Sequence, residues 1–237
     1  MQLMKSLKIS LLLVLLLGGC AADAPLPPPG PAAPVETGAA WYQQAAQAGN
    51  KVYKIDAAQS LIAITVRRGG ALARLGHDHV VASRTLEGFV APDAGRADFH
   101  FRLDQMTVDE LALRAQAGLD TQPSNEAIAG TRANMLNRVL EADRFPVVML
   151  HAERKGGAGG AADTLRLTVT LHGVARSFDV PTTIERDRTT LTASGELRML
   201  QSEFGITPMS VMGGAMTVQD PMELKFRIVA KAHAGKR

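Results

Sequence analysis

Two histidines separated by one residue, His77 and His79, are the side chains of this sequence best suited to chemistry. On a β-strand, residues two apart face the same side, so both imidazoles would point one way and Asp78 the other. Imidazole nitrogens bind divalent metals, and zinc takes three or four ligands. The pair therefore predicts half of a metal site. The candidates for a third ligand are His151, His100 and His172.

The same cluster has two other interpretations. His77 and His79 could contact the polar head group of a ligand, or they could form a structural network of hydrogen bonds with Asp78. Gly76 could also mark a turn, which would make the two rings diverge. A hydrolase could use either histidine as its base, but the sequence has no Gly-x-Ser-x-Gly elbow, glycine-rich phosphate loop or His-Glu-x-x-His motif. We therefore expect a binding protein rather than an enzyme.

The composition is that of a folded protein with no affinity for nucleic acid. Hydrophobic residues make up 46% of the 237 residues and charged residues 21%, which is enough apolar volume for a packed core. The formal net charge is +3 and would fall to +1 if Lys5 and Lys8 left with a signal peptide. No run of Lys and Arg is present that could neutralise a phosphate backbone.

Residues 1–19 have the features of a secretory signal peptide. Two lysines precede the apolar run Leu11–Leu17, which is too short to span a bilayer. The following Leu-Gly-Gly-Cys resembles a bacterial lipobox. This resemblance implies cleavage before Cys20, diacylglyceryl modification of its thiol and anchoring in a membrane. Ala21, by similarity to lipoprotein sorting in Gram-negative bacteria, implies the outer membrane on its periplasmic face.

A spacer and a short helix follow the cysteine. Residues 20–38 contain six prolines within Ala24–Pro34, a composition typical of an extended tether. Residues 39–50 are rich in Ala and Gln and predict a short helix carrying Trp41 and Tyr42. The two rings could form a lid or membrane contact, but packing on the end of the following domain is the favoured interpretation.

Residues 51–233 predict one all-β domain, an antiparallel lipocalin-like barrel with one or two short helices. Apolar and polar residues alternate cleanly in Ala97–Leu103 and Met222–Ile228, as expected for strands buried on one face. Similar short strands are separated by turn residues along the whole region, and Gly156–Gly160 predicts a hairpin loop. Asn125–Ala142 differs: its apolar residues have helical spacing, and Pro146 forbids continuation. We expect this helix to plug or flank the barrel.

Several segments, in order, resemble proteins of the YceI-like family. They are Tyr53–Asp56, Gly88-Phe89, Phe145–Val148, His172–Arg176, Phe204–Ile206 and Val218–Asp220. The similarity covers about Val52–Ala232 and implies a lipocalin-like barrel that binds a polyisoprenoid chain, such as a quinone tail, in its interior. Gln201 and Glu203 replace the Arg and Asp common before Phe-Gly-Ile in that family. The lipobox and tether are additions to it.

The expected function is therefore to bind or carry an amphipathic lipid, with its tail inside the barrel and its head group near the rim. The ligand-binding candidates are His77, His79, Met209, Met212 and Phe204. The metal candidates are His77, His79 and His151. Methionines suit a lining for a flexible tail because they adapt their shape. Two alternatives remain open at this stage: a metal-dependent, even enzymatic, site and a structural envelope lipoprotein without a small ligand.

Overall fold

The alternating segments of the sequence form a closed wall of antiparallel strands. The computed structural model describes residues 38–119, 121–155 and 163–233, and its twelve strands in these ranges make one continuous sheet. The proposed signal peptide, Cys20 and all but the last residue of the tether lie outside the described residues. The Gly156–Gly160 loop also lies outside them.

The sheet closes because its last strand pairs with its first. The strands are β1 (Tyr53–Ile55), β2 (Leu61–Gly69), β3 (His79–Ser83), β4 (Glu87–Ala91), β5 (Arg96–Arg102), β6 (Thr107–Val108), β7 (Val147–Arg154), β8 (Asp163–Leu171), β9 (Val174–Arg186), β10 (Thr190–Leu200), β11 (Ser210–Val211) and β12 (Met216–Ala232). β12 pairs with β10 on one side and with both β1 and β2 on the other. β1 and β2, β3 and β4, and β5 and β6 form three interrupted strands, so the closed barrel has eight strand positions. The predicted antiparallel barrel is confirmed.

The interruption between β1 and β2 is held by one buried serine. Ser60 is 1% exposed; its hydroxyl accepts a hydrogen bond from the Val229 N–H at 2.9 Å and donates to the Asp56 carbonyl at 2.8 Å. The side chain thus satisfies a backbone group of β12 that strand pairing leaves open at the bend. On the same strand, the register with β2 shifts between Val218 and Met222, where Pro221 has no N–H to donate.

Three α-helices accompany the barrel in the described part of the chain. They are α1 (Ala39–Gln47), α2 (Leu111–Gln116) and α3 (Asn125–Asn134). Ser124 caps α3 by accepting a hydrogen bond from the Ala127 N–H. The predicted single helix over Asn125–Ala142 is shorter than expected, because α3 changes into a π-helical turn at Met135–Val139. Short α2 has only one turn of apolar periodicity and was not anticipated from the sequence.

The barrel interior is the hydrophobic core. On β5, Phe99 and Phe101 are buried inside, whereas Asp98 and His100 alternate to the outer face. The register between β5 and β7 places Phe99 opposite Leu150, which also faces inward. Strict alternation of this kind fixes the register, since a slip of one residue would turn the apolar set outward.

β4 and β5 approach each other unusually closely at a glycine. Gly88 lies opposite Phe99, and a Cβ placed on Gly88 would lie 2.2 Å from the Asp98 carbonyl oxygen. No side chain larger than hydrogen fits this contact between backbones. The glycine of the Gly88-Phe89 pair is therefore required by the packing of the two strands.

Candidate functional site

The barrel encloses an apolar cavity of about 220 Å³ beneath α3. Its wall comes from inward positions of β2, β3, β5, β6, β7, β8, β10 and β12. Met135 and Val139 of the π-helical turn cover it, together with Leu140 just after the turn. These side chains face inward because the strands alternate, as on β2, where Ile62, Ile64 and Val66 point into the cavity. The surface of the cavity is therefore almost entirely apolar.

A second, smaller cavity of about 80 Å³ lies on the other side of a thin apolar layer. Ile62, Leu150 and Leu224 line both cavities, so these three side chains separate them. The smaller cavity is lined mainly by apolar residues of β5, β7, β8, β9, β10 and β12. Within the described residues, the barrel interior thus contains two apolar cavities that share these three lining side chains.

Among the residues that line the larger cavity, four have polar side chains: His79, Thr131, Asn134 and Gln201. His79 is the first residue of β3 and pairs in register with Val66, so its ring faces the interior alongside Val81. The distance between His79 Nε2 and Thr131 Oγ1 is 3.5 Å. The structure therefore places one of the two histidines of the sequence cluster on the cavity wall.

A buried ion pair holds the His79 ring. Its Nδ1 lies 2.6 Å from Asp109 Oδ2, and Asp109 Oδ1 accepts hydrogen bonds from the Val80 N–H and from Arg114 Nη1. Asp109 and Arg114 are 4% and 3% exposed, and Arg114 also donates to backbone carbonyls of Asp78 and Thr121. Every charge in this cluster therefore has a hydrogen-bonded partner, which a buried charge requires.

The environment of Asp109 keeps it ionised. Burial by itself raises the pKa of the Asp109 carboxyl, but the hydrogen bonds from His79, Val80 and Arg114 outweigh burial and hold that pKa below its ordinary value. Asp109 has a φ of 57°, a left-handed conformation that Asp tolerates better than most residues. The backbone thus turns at this point and aims the carboxylate at β3.

His77 and Asp78 do not join His79 on the cavity wall. His77 precedes β3 in a half-buried loop, with its ring centroid 6.1 Å from that of His79. Asp78 faces away, where its carboxylate accepts a hydrogen bond from the Arg68 N–H and lies 3.6 Å from Arg67. The sequence prediction that Asp78 faces opposite to the histidines holds for His79, whereas His77 lies outside the strand.

The proposed metal site with His151 as a third ligand is not formed. His151 lies on the outer face of β7, bound through Nδ1 to Asp98 at 2.6 Å and close to Glu153. β7 and β3 are not neighbours in the sheet, so His151 is separated from His77 and His79. In residues 38–119, 121–155 and 163–233, no group of three or more His, Cys, Asp or Glu side chains could hold a metal.

The other two candidates for the third ligand also have local roles. His172 begins the tight turn between β8 and β9 with a φ of 52°, and its Nε2 lies 2.8 Å from Glu141. His100 is on the outer phase of β5, opposite Met149 of β7.

Of the remaining ligand-binding candidates, one lines the cavity. Met209 contributes to the wall, together with Met199 and Met222. Met212 is 65% exposed in the loop after β11, and Phe204 is fully buried against Phe178 without lining either cavity. Met212 and Phe204 thus lie on the surface and in the packed core rather than on the cavity wall.

Helix α1 packs on the outer wall of the barrel rather than on its end. The Tyr42 hydroxyl donates to Asp98 at 2.7 Å, and the Tyr42 ring stacks on Phe89. Trp41 lies against Arg96, whose guanidinium is 4.6 Å from the ring centroid. Burial and then the Asp98 carboxylate raise the pKa of the Tyr42 phenol far above its ordinary value. The two rings thus fix α1 to β4 and β5.

Sequence reasoning missed the partners that define the site. No sequence motif marks these partners, which are Thr131, Asn134, Asp109 and Arg114. They come to the site of His79 only when the chain around α2 and α3 folds onto the barrel. One signal did exist for Gln201, which departs from the residue usual in the family and is 5% exposed on the cavity wall. Its amide nitrogen donates to the Gln219 carbonyl.

The helices give no indication of a membrane span. None of those in the described parts of the chain has the length and apolar character needed to cross a bilayer.

A search of curated proteins found no match to the chain.

Comparison with solved structures supports the fold. A polyisoprenoid binding domain from Saccharophagus degradans, implicated in plant cell wall breakdown, is 15% identical, with a TM-score of 0.56 over 76% of this chain and 98% of that one. BcnA from Burkholderia cenocepacia is also 15% identical, with a TM-score of 0.52 over 74% of this chain and 99% of that one. The sequence profile of the YceI-like domain matches residues 53–230. Together with the closed antiparallel barrel, this match establishes that the chain belongs to the YceI-like family.

Proposed function

We propose that this protein binds a polyisoprenoid or a similar amphipathic lipid, with the hydrocarbon tail inside the larger cavity. The observation that carries the proposal is a closed barrel enclosing about 220 Å³ lined by aliphatic and methionine side chains. Family membership and the similar fold of a polyisoprenoid binding domain support it. The protein would act as a binding or carrier protein for an isoprenoid or quinone-like lipid rather than as an enzyme.

The size of the cavity sets the scale of the affinity. An unfilled apolar cavity costs a protein about 24 cal/mol per Å³, so about 220 Å³ corresponds to about 5 kcal/mol that a tail could recover. Apolar contacts require no directional matching, which suits a flexible prenyl chain. Binding at ligand concentrations well above Kd would therefore raise the unfolding temperature by several degrees.

Organic extraction of natively purified protein, followed by mass spectrometry, tests the proposal. We expect a stoichiometric lipid with an apolar tail in the extract of the wild type. Val148→Phe places a ring in the larger cavity and should reduce the recovered lipid. Met149→Phe on the same strand points outward and is 39% exposed, so it should retain the lipid. A lipid-free wild type that also fails to take up added prenols would refute the function.

We further propose that the chain is a lipoprotein anchored through Cys20 in the outer membrane and facing the periplasm. The support is the sequence of residues 1–38: a signal-like segment, Leu-Gly-Gly-Cys and a proline-rich spacer. Two or more acyl chains would give stable anchoring, whereas one is marginal. The test is membrane fractionation of wild type and Cys20→Ser. Equal recovery of both in the membrane fraction would contradict the anchor, and wild type in inner-membrane fractions would contradict the location.

A further inference from the structure

The polar residues of the larger cavity are distributed unevenly. His79, at the start of β3, faces Thr131 of α3, and Asn134 follows one helical turn later. The described residues that line this cavity include no Lys, Arg, Asp or Glu. An anionic head group would therefore be desolvated without a cation on the cavity wall, which is energetically unfavourable. The wall is better suited to a neutral polar group.

The ion pair beneath His79 determines which nitrogen faces the cavity. In the neutral tautomer that donates from Nδ1 to the Asp109 carboxylate, 2.6 Å away, Nε2 faces the cavity as an acceptor. Arg114 balances the charge of Asp109, because its guanidinium donates to the same carboxylate. Asp109 and Arg114 are thus positioning residues that hold His79 in one orientation.

The acceptor on His79 is incompletely used within the protein. Its only neighbour in the described chain at hydrogen-bond range is the Thr131 hydroxyl, and 3.5 Å is at the far limit of such a bond. A ligand oxygen about 2.8 Å from both atoms fits this separation, since hydroxyl hydrogen bonds have about that length. A hydroxyl there would donate to His79 Nε2 and accept from Thr131 Oγ1, which satisfies all three groups.

We propose that His79 and Thr131 form a head-group subsite for a neutral, hydroxyl-bearing lipid, such as a prenol or a quinol. This inference rests on the proposed function, because the same cavity holds the tail. It adds the chemical class of the head group: the ligand must donate a hydrogen bond. Lipids whose polar end only accepts hydrogen bonds leave Nε2 unpaired inside an apolar wall.

Three ligands with one tail isolate the head group: geraniol, its methyl ether and its monophosphate. Equilibrium dialysis with delipidated protein gives the Kd of each. We expect the wild type to bind the alcohol about tenfold more tightly than the ether, the effect of leaving one buried acceptor unpaired. We expect the phosphate to bind more weakly than the alcohol.

Two variants assign the effect to the subsite. His79→Asn keeps an N–H near the position of Nδ1 for Asp109 but removes Nε2, so the preference for alcohol over ether should disappear. Thr131→Val leaves the Asp109 pair untouched and should reduce the preference, which keeps the test decisive if His79→Asn does not fold. His77→Asn is the matched control, because His77 does not line the cavity, and it should retain the tenfold preference.

The outcomes separate this inference from the function on which it rests. If none of the three ligands binds, the proposed function fails. If all three bind with similar Kd values, or the phosphate binds most tightly, lipid binding stands and the hydroxyl subsite is refuted. A preference for the alcohol that survives in both His79→Asn and Thr131→Val would also refute it.

Discussion

Replacing Leu150 with alanine should join the two apolar cavities into one longer space. Leu150 is 5% exposed and forms, with Ile62 and Leu224, the layer between spaces of about 220 and 80 Å³. In the ligand-free protein, we expect Leu150→Ala to lower the free energy of unfolding by about 3 kcal/mol, as buried leucine truncations do. For a domain of this size, that corresponds to a fall of about 10 °C in Tm.

The same substitution should change which tails stabilise the protein. At about 24 cal/mol per Å³, the additional 80 Å³ is worth about 2 kcal/mol to a tail long enough to enter it. That free energy is about a 30-fold gain in affinity. Geraniol should gain little, because it already fits within the larger cavity, whereas farnesol and geranylgeraniol should gain progressively more.

The test measures Tm by scanning calorimetry and Kd by titration calorimetry. Both are measured with each prenol for the delipidated wild type and for Leu150→Ala. Leu171→Ala is the matched control, since Leu171 is 8% exposed and lines only the larger cavity. It enlarges that space without opening the layer, so it should not shift the preference toward longer tails. If Leu150→Ala and Leu171→Ala show the same dependence on tail length, the layer does not limit the tail and the reasoning is wrong.

Three further predictions concern the framework. The pKa of Asp109 is lower in the folded state than in the unfolded state. The ionised carboxylate therefore stabilises the fold at pH values above its ordinary pKa of about 4, and this stabilisation is lost as the pH falls through the lower folded pKa. In Asp109→Asn, the free energy of unfolding should depend less on pH in the acid range. Gly88→Ala should cost about 3 kcal/mol in urea unfolding, because its Cβ would overlap the Asp98 carbonyl. Tyr42→Phe should cost about 2 kcal/mol, the usual loss for a hydrogen bond to a charged group.

Each of these predictions has a result that would count against it. Parallel stability curves for wild type and Asp109→Asn between about pH 3 and 7 would show that this carboxylate does not set the acid slope. Gly130→Ala, on α3 with no atom within 4 Å of its added Cβ, should be neutral or stabilising, so a cost equal to that of Gly88→Ala would remove the steric explanation. An unchanged melting temperature for Tyr42→Phe would mean that Arg96 and His151 alone satisfy Asp98.

The sequence predicts features that depend on neighbours along the chain. Alternation in Ala97–Leu103 predicts the inward Phe99 and Phe101, because each strand carries its own period of two. Asn125–Ala142 predicts a helix for the same local reason, but the π-helical turn depends on how Met135 and Leu140 pack into the barrel.

The site depends on distant contacts that leave no local pattern. Thr131 is 52 residues from His79, and Asp109 is 30 residues from it, yet both lie at hydrogen-bond range of the same ring. His77 and His79 are equivalent in the sequence pattern. They differ in the structure because β3 begins at His79, which faces the cavity, whereas His77 lies in the preceding loop. The prediction of His151 as a third metal ligand was wrong for a similar reason: a distant contact, the hydrogen bond to Asp98, holds His151 on the outer wall.

The position of α3 has a consequence for the rate of lipid exchange. Met135, Val139 and Leu140 cover the larger cavity on the side of α3, so a bound tail that leaves on this side must displace these side chains. Dissociation should therefore be limited by local opening of this segment, whose free energy can be far below that of global unfolding. The residence time of the lipid in such a carrier is then set by the opening rate of this segment. Faster release would need a partner or membrane surface that shifts α3 outward.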